Sequence, residues 1–307
     1  MILGDLTDEQ CRGALRGAGL TLRTGPFLLR VRSAMPAIQR GLRLLYDAVE
    51  ASTDQGYADF HVAVNRPHGP RRWYKPQALF FHDEDQPFYP LPSDQAMPML
   101  EWGLNWCISS HAHHFLVIHA AALERNDRVL LMPADSGHGK STLTAALVHS
   151  GWRLLSDELA LIDPNTGLVH PLARPINLKN QSIDVIRTTF SSAVLTDPVA
   201  DTHKGTVALM RPPTDSVQRA DTPAAPRWIV VPLYDSAASL DFSPRARSET
   251  FMSLAKGGFN YSLLGALGFE TLVNAVDRSA CYSLVYSDLD AALRLFEDLA
   301  FDRLPTV

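Results

Sequence analysis

The stretch Leu130-Leu-Met-Pro-Ala-Asp-Ser-Gly-His-Gly-Lys-Ser-Thr142 constrains this chain more than any other. An apolar run, a turn of small residues, a lysine with two hydroxyl residues and then a helical pattern is the order of a strand, a phosphate-binding loop and a helix. The frame Gly-x-x-x-x-Gly-Lys-Ser/Thr is met with one departure: Ala134 stands where the first glycine belongs. Small residues let backbone N–H groups curl around phosphate oxygens, and the positive end of the helix adds to the attraction. Ala134, Asp135, Ser136, Gly137, His138, Gly139, Lys140, Ser141 and Thr142 are therefore the candidate nucleotide-binding residues. Lys140 has the reach for the β- and γ-phosphates of ATP, and the Ser141 hydroxyl is a ligand for magnesium. A chance match in an ordinary strand-turn-helix is the alternative, and the combination of Gly137, the strand and the helix weighs against it.

An acidic pair, Asp157-Glu158, follows the next short apolar run, with Asp157 lying 17 positions after Lys140. Neighbouring strand residues point to opposite faces, but at a strand end the geometry loosens and both can reach one site. A division of labour is then open: Glu158 and Ser141 on the metal ion, with Asp157 on the metal or taking a proton from an attacking hydroxyl. A solvated strand end with Ser156 as a turn residue is the competing reading.

The rest of the chain limits the choices. A net charge of -5 gives no basic surface for nucleic acid. No apolar stretch reaches the roughly 18 residues of a membrane span. The N-terminal Met1-Ile-Leu-Gly-Asp-Leu-Thr-Asp-Glu9 is acidic and lacks the basic region of a signal peptide. Cys11, Cys107 and Cys281 are odd in number and far apart, and read as buried or free thiols in a reducing cytosol. A cytoplasmic enzyme is expected.

Periodicity predicts strands at Phe27–Arg32 and Asp59–Val64 and a helix over Ala37–Val49. A proline-rich loop comes next over Gln86–Pro98, and then a helix over Met99–Ser109 that carries Trp102 and Trp106 inward as core residues. A boundary near residue 95 separates an N-terminal α+β domain (1–95) of unknown role from a nucleotide-binding domain (96–307). In the latter, strands are expected at Phe115–Leu123, Val129–Met132, Trp152–Leu155, Leu159–Ile162 and Trp228–Leu233. Helices are expected at Ser141–Ser150, Ser248–Tyr261 and Leu289–Leu299. Phe190–Pro226, rich in Thr, Asp, Pro and Ala, is expected to include a mobile loop.

These residues resemble a known family. Ser-Gly-x-Gly-Lys-Ser, a helix, then Gly151-Trp-Arg-Leu-Leu-Ser-Asp-Glu158 is similar to bacterial HPr kinase/phosphorylase over roughly residues 115–300. Glu101-Trp-Gly-Leu-Asn-Trp106 and Ile118-His-Ala-Ala121 extend the likeness to the group called HprK-related kinase A, over the whole chain. The resemblance implies a mixed α/β fold, a phosphoenolpyruvate carboxykinase-like P-loop domain preceded by a smaller α+β domain. It also implies ATP and Mg2+ as cofactors and transfer of the γ-phosphoryl group to a serine of a protein or peptide. The catalytic set it implies is Asp157, Lys140, His119 and Arg247, with Glu158 as the metal-binding neighbour. Arg247 comes from matching Pro244-Arg-Ala-Arg-Ser248, with Asn260 beyond it, to the family's arginine stretch, and Arg245 competes for the same role. The chain departs from the family in Ala134, in Asp-Glu where Asp-Asp is usual, and in having Arg174-Pro-Ile-Asn-Leu-Lys179 in place of the stretch associated with phosphorolysis. Relatives form hexamers, which makes a homo-oligomer compatible with the resemblance.

Other candidates are ambiguous by sequence. His111-Ala-His-His114 has the look of a metal cluster but lacks nearby partners. Lys204-Gly205 closes over substrate or is plain loop. Arg174 and Lys179 meet phosphate or acceptor, or are exposed strand charges. Two rival functions stand beside the protein kinase: a kinase acting on a small-molecule hydroxyl, and a non-catalytic nucleotide-dependent binding or assembly protein.

Overall fold

The computed structural model describes residues 1–69, 74–133 and 137–303. Helix α1 (Asp8–Arg16) leads into β1 (Leu20–Thr24), β2 (Phe27–Arg32), α2 (Pro36–Leu45), β3 (Ala51–Ser52), β4 (Phe60–Asn65), β5 (Gln77–His82), β6 (Leu91–Pro92) and α3 (Ala96–His111). The six strands form one sheet in the order β3-β1-β2-β4-β5-β6. The β2–β4 pair is parallel and the other pairs are antiparallel. Helix α3 is apolar nearly all round, with Met97, Met99, Leu100, Leu104, Cys107 and Ile108 buried, and it packs on this sheet and on α2. Its Gly103 is the crossing point over Phe80. The cluster formed here continues into Val117, Leu159, Leu161, Leu172 and Leu209, so the first sheet shares its core with the chain beyond α3.

The chain then runs β7 (Leu116–Arg125), β8 (Arg128–Pro133), α4 (Lys140–His149), β9 (Arg153–Ser156), β10 (Leu159–Ile162) and β11 (Val169–His170). Next come β12 (Ile176–Lys179), α5 (Gln181–Thr189), β13 (Val199–Thr202), β14 (Gly205–Met210) and α6 (Thr214–Gln218). The remainder is β15 (Ala225–Tyr234), β16 (Asp241–Pro244), α7 (Arg247–Lys256), α8 (Tyr261–Leu264), α9 (Ala266–Asp277), β17 (Ala280–Tyr286) and α10 (Leu289–Ala300). Eight strands make a mixed sheet, β11-β10-β7-β8-β15-β17-β16, with β9 on the same edge of β7 as β10. Strands β8, β15 and β17 are parallel. A three-stranded sheet, β12-β14-β13, stands beside it.

Alternation along β7 and β8 divides the core. Ala121, Leu123, Leu130 and Met132 face α4, α10 and the small sheet through Leu147, Phe296 and Ile176. Ile118, Ala120, Ala122 and Leu131 face α7 and α9 through Leu254, Leu272 and Val276. The architecture is thus mixed α/β, as expected. Among the described residues no helix is long and apolar enough to cross a membrane.

The segment 190–226, expected to include a mobile loop, contains regular structure. It holds β13, β14 and α6, with Val207, Ala208, Leu209 and Met210 buried. The buried Ser216 accepts a hydrogen bond from the Leu154 amide at 3.0 Å. Helix α7 ends at Lys256, short of the expected Tyr261, and α8 and α9 follow before β17.

Gly103→Ala tests the α3 seat. Its Cβ would fall 2.1 Å from Phe80 Cε2 in a closed interior, so a loss of roughly 1–3 kcal/mol is expected. Urea denaturation measures it, and an unchanged midpoint would contradict the packing described.

Candidate active site

The site forms where the loop after β8 meets a break in the sheet. Both β9 and β10 run antiparallel to β7, with Ser156 opposite Ala122 and Leu159 opposite His119. Asp157 and Glu158 fall in the two-residue gap between them. Ser156 Oγ accepts from the Leu159 amide at 3.0 Å and holds the gap open. This break allows adjacent carboxylates to serve one cleft, against the strict alternation of a continuous strand.

Gly137 (φ 93°) and Gly139 (φ 80°) take the left-handed conformation that glycine adopts without strain. A Cβ on Gly139 would also meet Tyr286 Oη at 2.7 Å. The end of the loop is pinned from β15 and β17: the Tyr234 amide donates to His138 O at 3.1 Å, and Tyr286 Oη donates to Gly139 O at 3.3 Å. Gly139 therefore delivers Lys140 at the first position of α4, with Ser141 and Thr142 in the first turn. Ala134, Asp135 and Ser136 lie outside the described residues.

Lys140 is only 8% exposed, and its Nζ has no hydrogen-bond partner among the described residues. Burial lowers its pKa, opposed by Asp157 and Glu158. Asp157 is 6% exposed. Its Oδ2 accepts from Ser141 Oγ at 3.2 Å and from the Asn177 amide at 3.1 Å. Its Oδ1 is buried and unpartnered among the described residues. Burial raises the Asp157 pKa, with Lys140 acting the other way. The reading of the pair as a solvated strand end does not fit this burial.

Glu158 is held differently. Asn105 Nδ2 donates to its Oε2 at 2.7 Å, and Lys204 Nζ lies 3.7 Å from its Oε1. Burial pushes its pKa up, but Lys204, Lys140, His119 and Lys179 outweigh that and leave it lowered. His119 faces the same cleft, its amide fixed on Gly257 O at 2.8 Å. Burial first, and Lys140 second, push its imidazole down to about 4. It is neutral at physiological pH.

Arg247 is placed elsewhere. It begins α7, is exposed, and pairs with Asp277 at 3.5 Å. Arg245 contacts Ser283, Ser253 and Glu249. Neither contact set includes the acidic pair. Asn260 is structural: its amide group bonds Val117 N and Phe115 O and fixes the start of β7.

Arg174 is not an exposed strand charge: it is buried. Its Nη2 donates to Glu101 Oε2 at 3.0 Å and to Asn105 Oδ1 at 2.8 Å. Tyr46 Oη donates to the other Glu101 oxygen at 2.6 Å. A cavity of about 20 Å³ lies among Arg174, Glu158, Asp157 and Asn177. The supporting residues Glu101 and Asn105 were missed by sequence. Their signal is a pair of polar residues spaced i, i+4 on an otherwise apolar helix.

The histidines 111–114 pack as rings: His111 on Trp106 and His82, His114 on Phe27 and Phe115. Among the described residues no group of three or more His, Cys, Asp or Glu side chains gathers as a metal site. Among the described residues, two carboxylates and the Ser141 hydroxyl are what the site offers a metal ion. That donor set suits a hard cation that keeps waters and phosphate oxygens as its remaining ligands. No family model matches the chain, and no curated protein matches it.

The displaced histidine gives a pH test. The unfolded chain takes up a proton at His119 below about pH 6.5, whereas the folded protein does so only near 4. Stability from this group is therefore lost as pH falls from 6.5 to 4. An NMR titration should place the His119 midpoint well below 6, and a midpoint near 6.5 would contradict the burial.

Proposed function

We propose that this protein is an ATP- and magnesium-dependent kinase that transfers the γ-phosphoryl group to a hydroxyl, in the first instance a serine of a protein or peptide. The observation that carries the reading is a pair of buried atoms beside the glycine turn, Lys140 Nζ and Asp157 Oδ1, that have no hydrogen-bond partner among the described residues. A buried ammonium without a hydrogen-bonded counterpart is costly unless a ligand supplies one. A polyphosphate on the loop would do so for Lys140. The resemblance of the loop and of Gly151–Glu158 to HPr kinase supports the same reading. So does a mixed sheet in which the loop joins β8 to α4.

The geometry is compatible with the following roles. Lys140 and the first-turn amides of α4 hold phosphate oxygens. Ser141 and Glu158 are the residues to hold magnesium, which when bound neutralises phosphate charge. Asp157 has one oxygen committed to Ser141 and Asn177. Its free Oδ1 is the atom to take the proton of the attacking hydroxyl. Neutral His119 can donate or accept one hydrogen bond in the cleft without adding charge. Because phosphoryl transfer needs little covalent chemistry from the protein, positioning and charge neutralisation supply most of the rate.

Lys140→Ala should abolish transfer of label from γ-labelled ATP to acceptor in a cell extract while leaving thermal melting cooperative. Asp157→Asn should cut transfer by roughly 10²–10⁴-fold and leave nucleotide affinity near wild type. Label in peptide marks the protein kinase, and label in metabolites marks the small-molecule kinase. ATP binding with no labelled acceptor favours the assembly protein. Wild-type rates from Lys140→Ala would sink the assignment.

A further inference from the structure

The hairpin β13–β14 has no assigned role, and its tip reaches the site. Thr202 pairs with Gly205 across a two-residue turn of His203 and Lys204. Thr202 Oγ1 accepts from the Lys204 amide at 3.0 Å and donates to Gly205 O at 2.6 Å. Gly205 has φ 84°, and a Cβ there would come within 2.5 Å of Asn180 Oδ1. The tip is therefore built, with its conformation fixed on both sides.

Trp102 of α3 is the shelf beneath it. The His203 ring meets the indole edge-on with centroids 4.5 Å apart, and Lys204 Nζ lies over the indole 5.3 Å from its centroid. This cation–π seat aims the ammonium at Glu158, where the 3.7 Å separation is too long for a hydrogen bond. Asn105 already holds the other Glu158 oxygen. Lys179 approaches from a third element. It sits two positions beyond Asn177 on β12, on the same face, and Asn177 lines the cavity beneath Asp157. Three lysines, Lys140, Lys179 and Lys204, thus act on the acidic pair from three different elements. Among the described residues these lysines outnumber the two carboxylates by one.

We infer that Lys204 is a catalytic residue that contacts an oxygen of the transferring γ-phosphoryl group, delivered across the cleft by the Trp102-seated hairpin, with Lys179 adding charge behind it. This rests on the kinase reading. The γ-phosphoryl group carries its charge on three oxygens, and the loop lysine approaches from one side only. Lys204 exchanges its loose contact with Glu158 for a phosphoryl oxygen. It occupies the role that the exposed, Asp277-paired Arg247 is not placed to fill.

Equilibrium dialysis of the full chain with Mg-ADP and with a non-hydrolysable Mg-ATP analogue tests this. Lys204→Met should weaken the ATP analogue by about tenfold or more, the scale of a charged hydrogen bond, and leave ADP within about twofold. Lys204→Arg should recover part of the loss. Unchanged affinity for both nucleotides, or an equal loss for both, would overturn the inference while leaving the kinase reading intact. A wild-type chain that binds neither nucleotide would overturn both.

Discussion

The structure is organised around one electrostatic problem: an ammonium group, Lys140, and a carboxylate, Asp157, both nearly removed from water. Burial drives each toward its neutral form, and each opposes that shift in the other. They are neighbours without being hydrogen-bonded to one another, and among the described residues Lys140 Nζ and Asp157 Oδ1 have no partner. Such an arrangement survives only if the surrounding backbone is fixed. The gap between β9 and β10, the Asn177 amide and the left-handed Gly139 each fix part of it.

Helix α3 ties this centre to the N-terminal sheet. Its apolar sides seat it on β4 and β5, and one polar edge faces the site. Glu101 meets Tyr46 and Arg174, Trp102 carries the Lys204 hairpin, and Asn105 joins Arg174 to Glu158. The Arg174–Glu101 pair is buried on both sides. Removing one partner of such a pair typically costs about 3–5 kcal/mol, because the other charge is stranded. The polar path from Tyr46 to Glu158 therefore makes the geometry of the acidic pair depend on α2 and α3.

What was legible in the sequence was local. The strand, loop and helix around Gly139-Lys140 are written in consecutive residues. The acidic pair stands out by its spacing from Lys140. Strands such as Leu159–Ile162 show as short apolar runs. What was not legible crosses the chain. Nothing near Asn105 indicates Glu158, and nothing near Arg174 indicates Glu101. The hairpin at 199–210 was obscured by its Thr- and Asp-rich surroundings, although Val207 to Met210 form a continuous apolar run of the kind that fills a buried strand. Arg247 was matched by a short pattern in a weakly marked region. Burial, which decides whether a charge is solvated or poised, is a property of the assembled layers and is absent from spacing.

Calorimetric titration of the folded wild-type chain with Mg-ATP is the most direct measurement. A saturable heat of association with one nucleotide per chain is the expected result, because the buried Lys140 Nζ has no hydrogen-bond partner among the described residues. No heat from protein that melts cooperatively would mean that the buried lysine and aspartate serve some other purpose, and the phosphate cradle would be refuted.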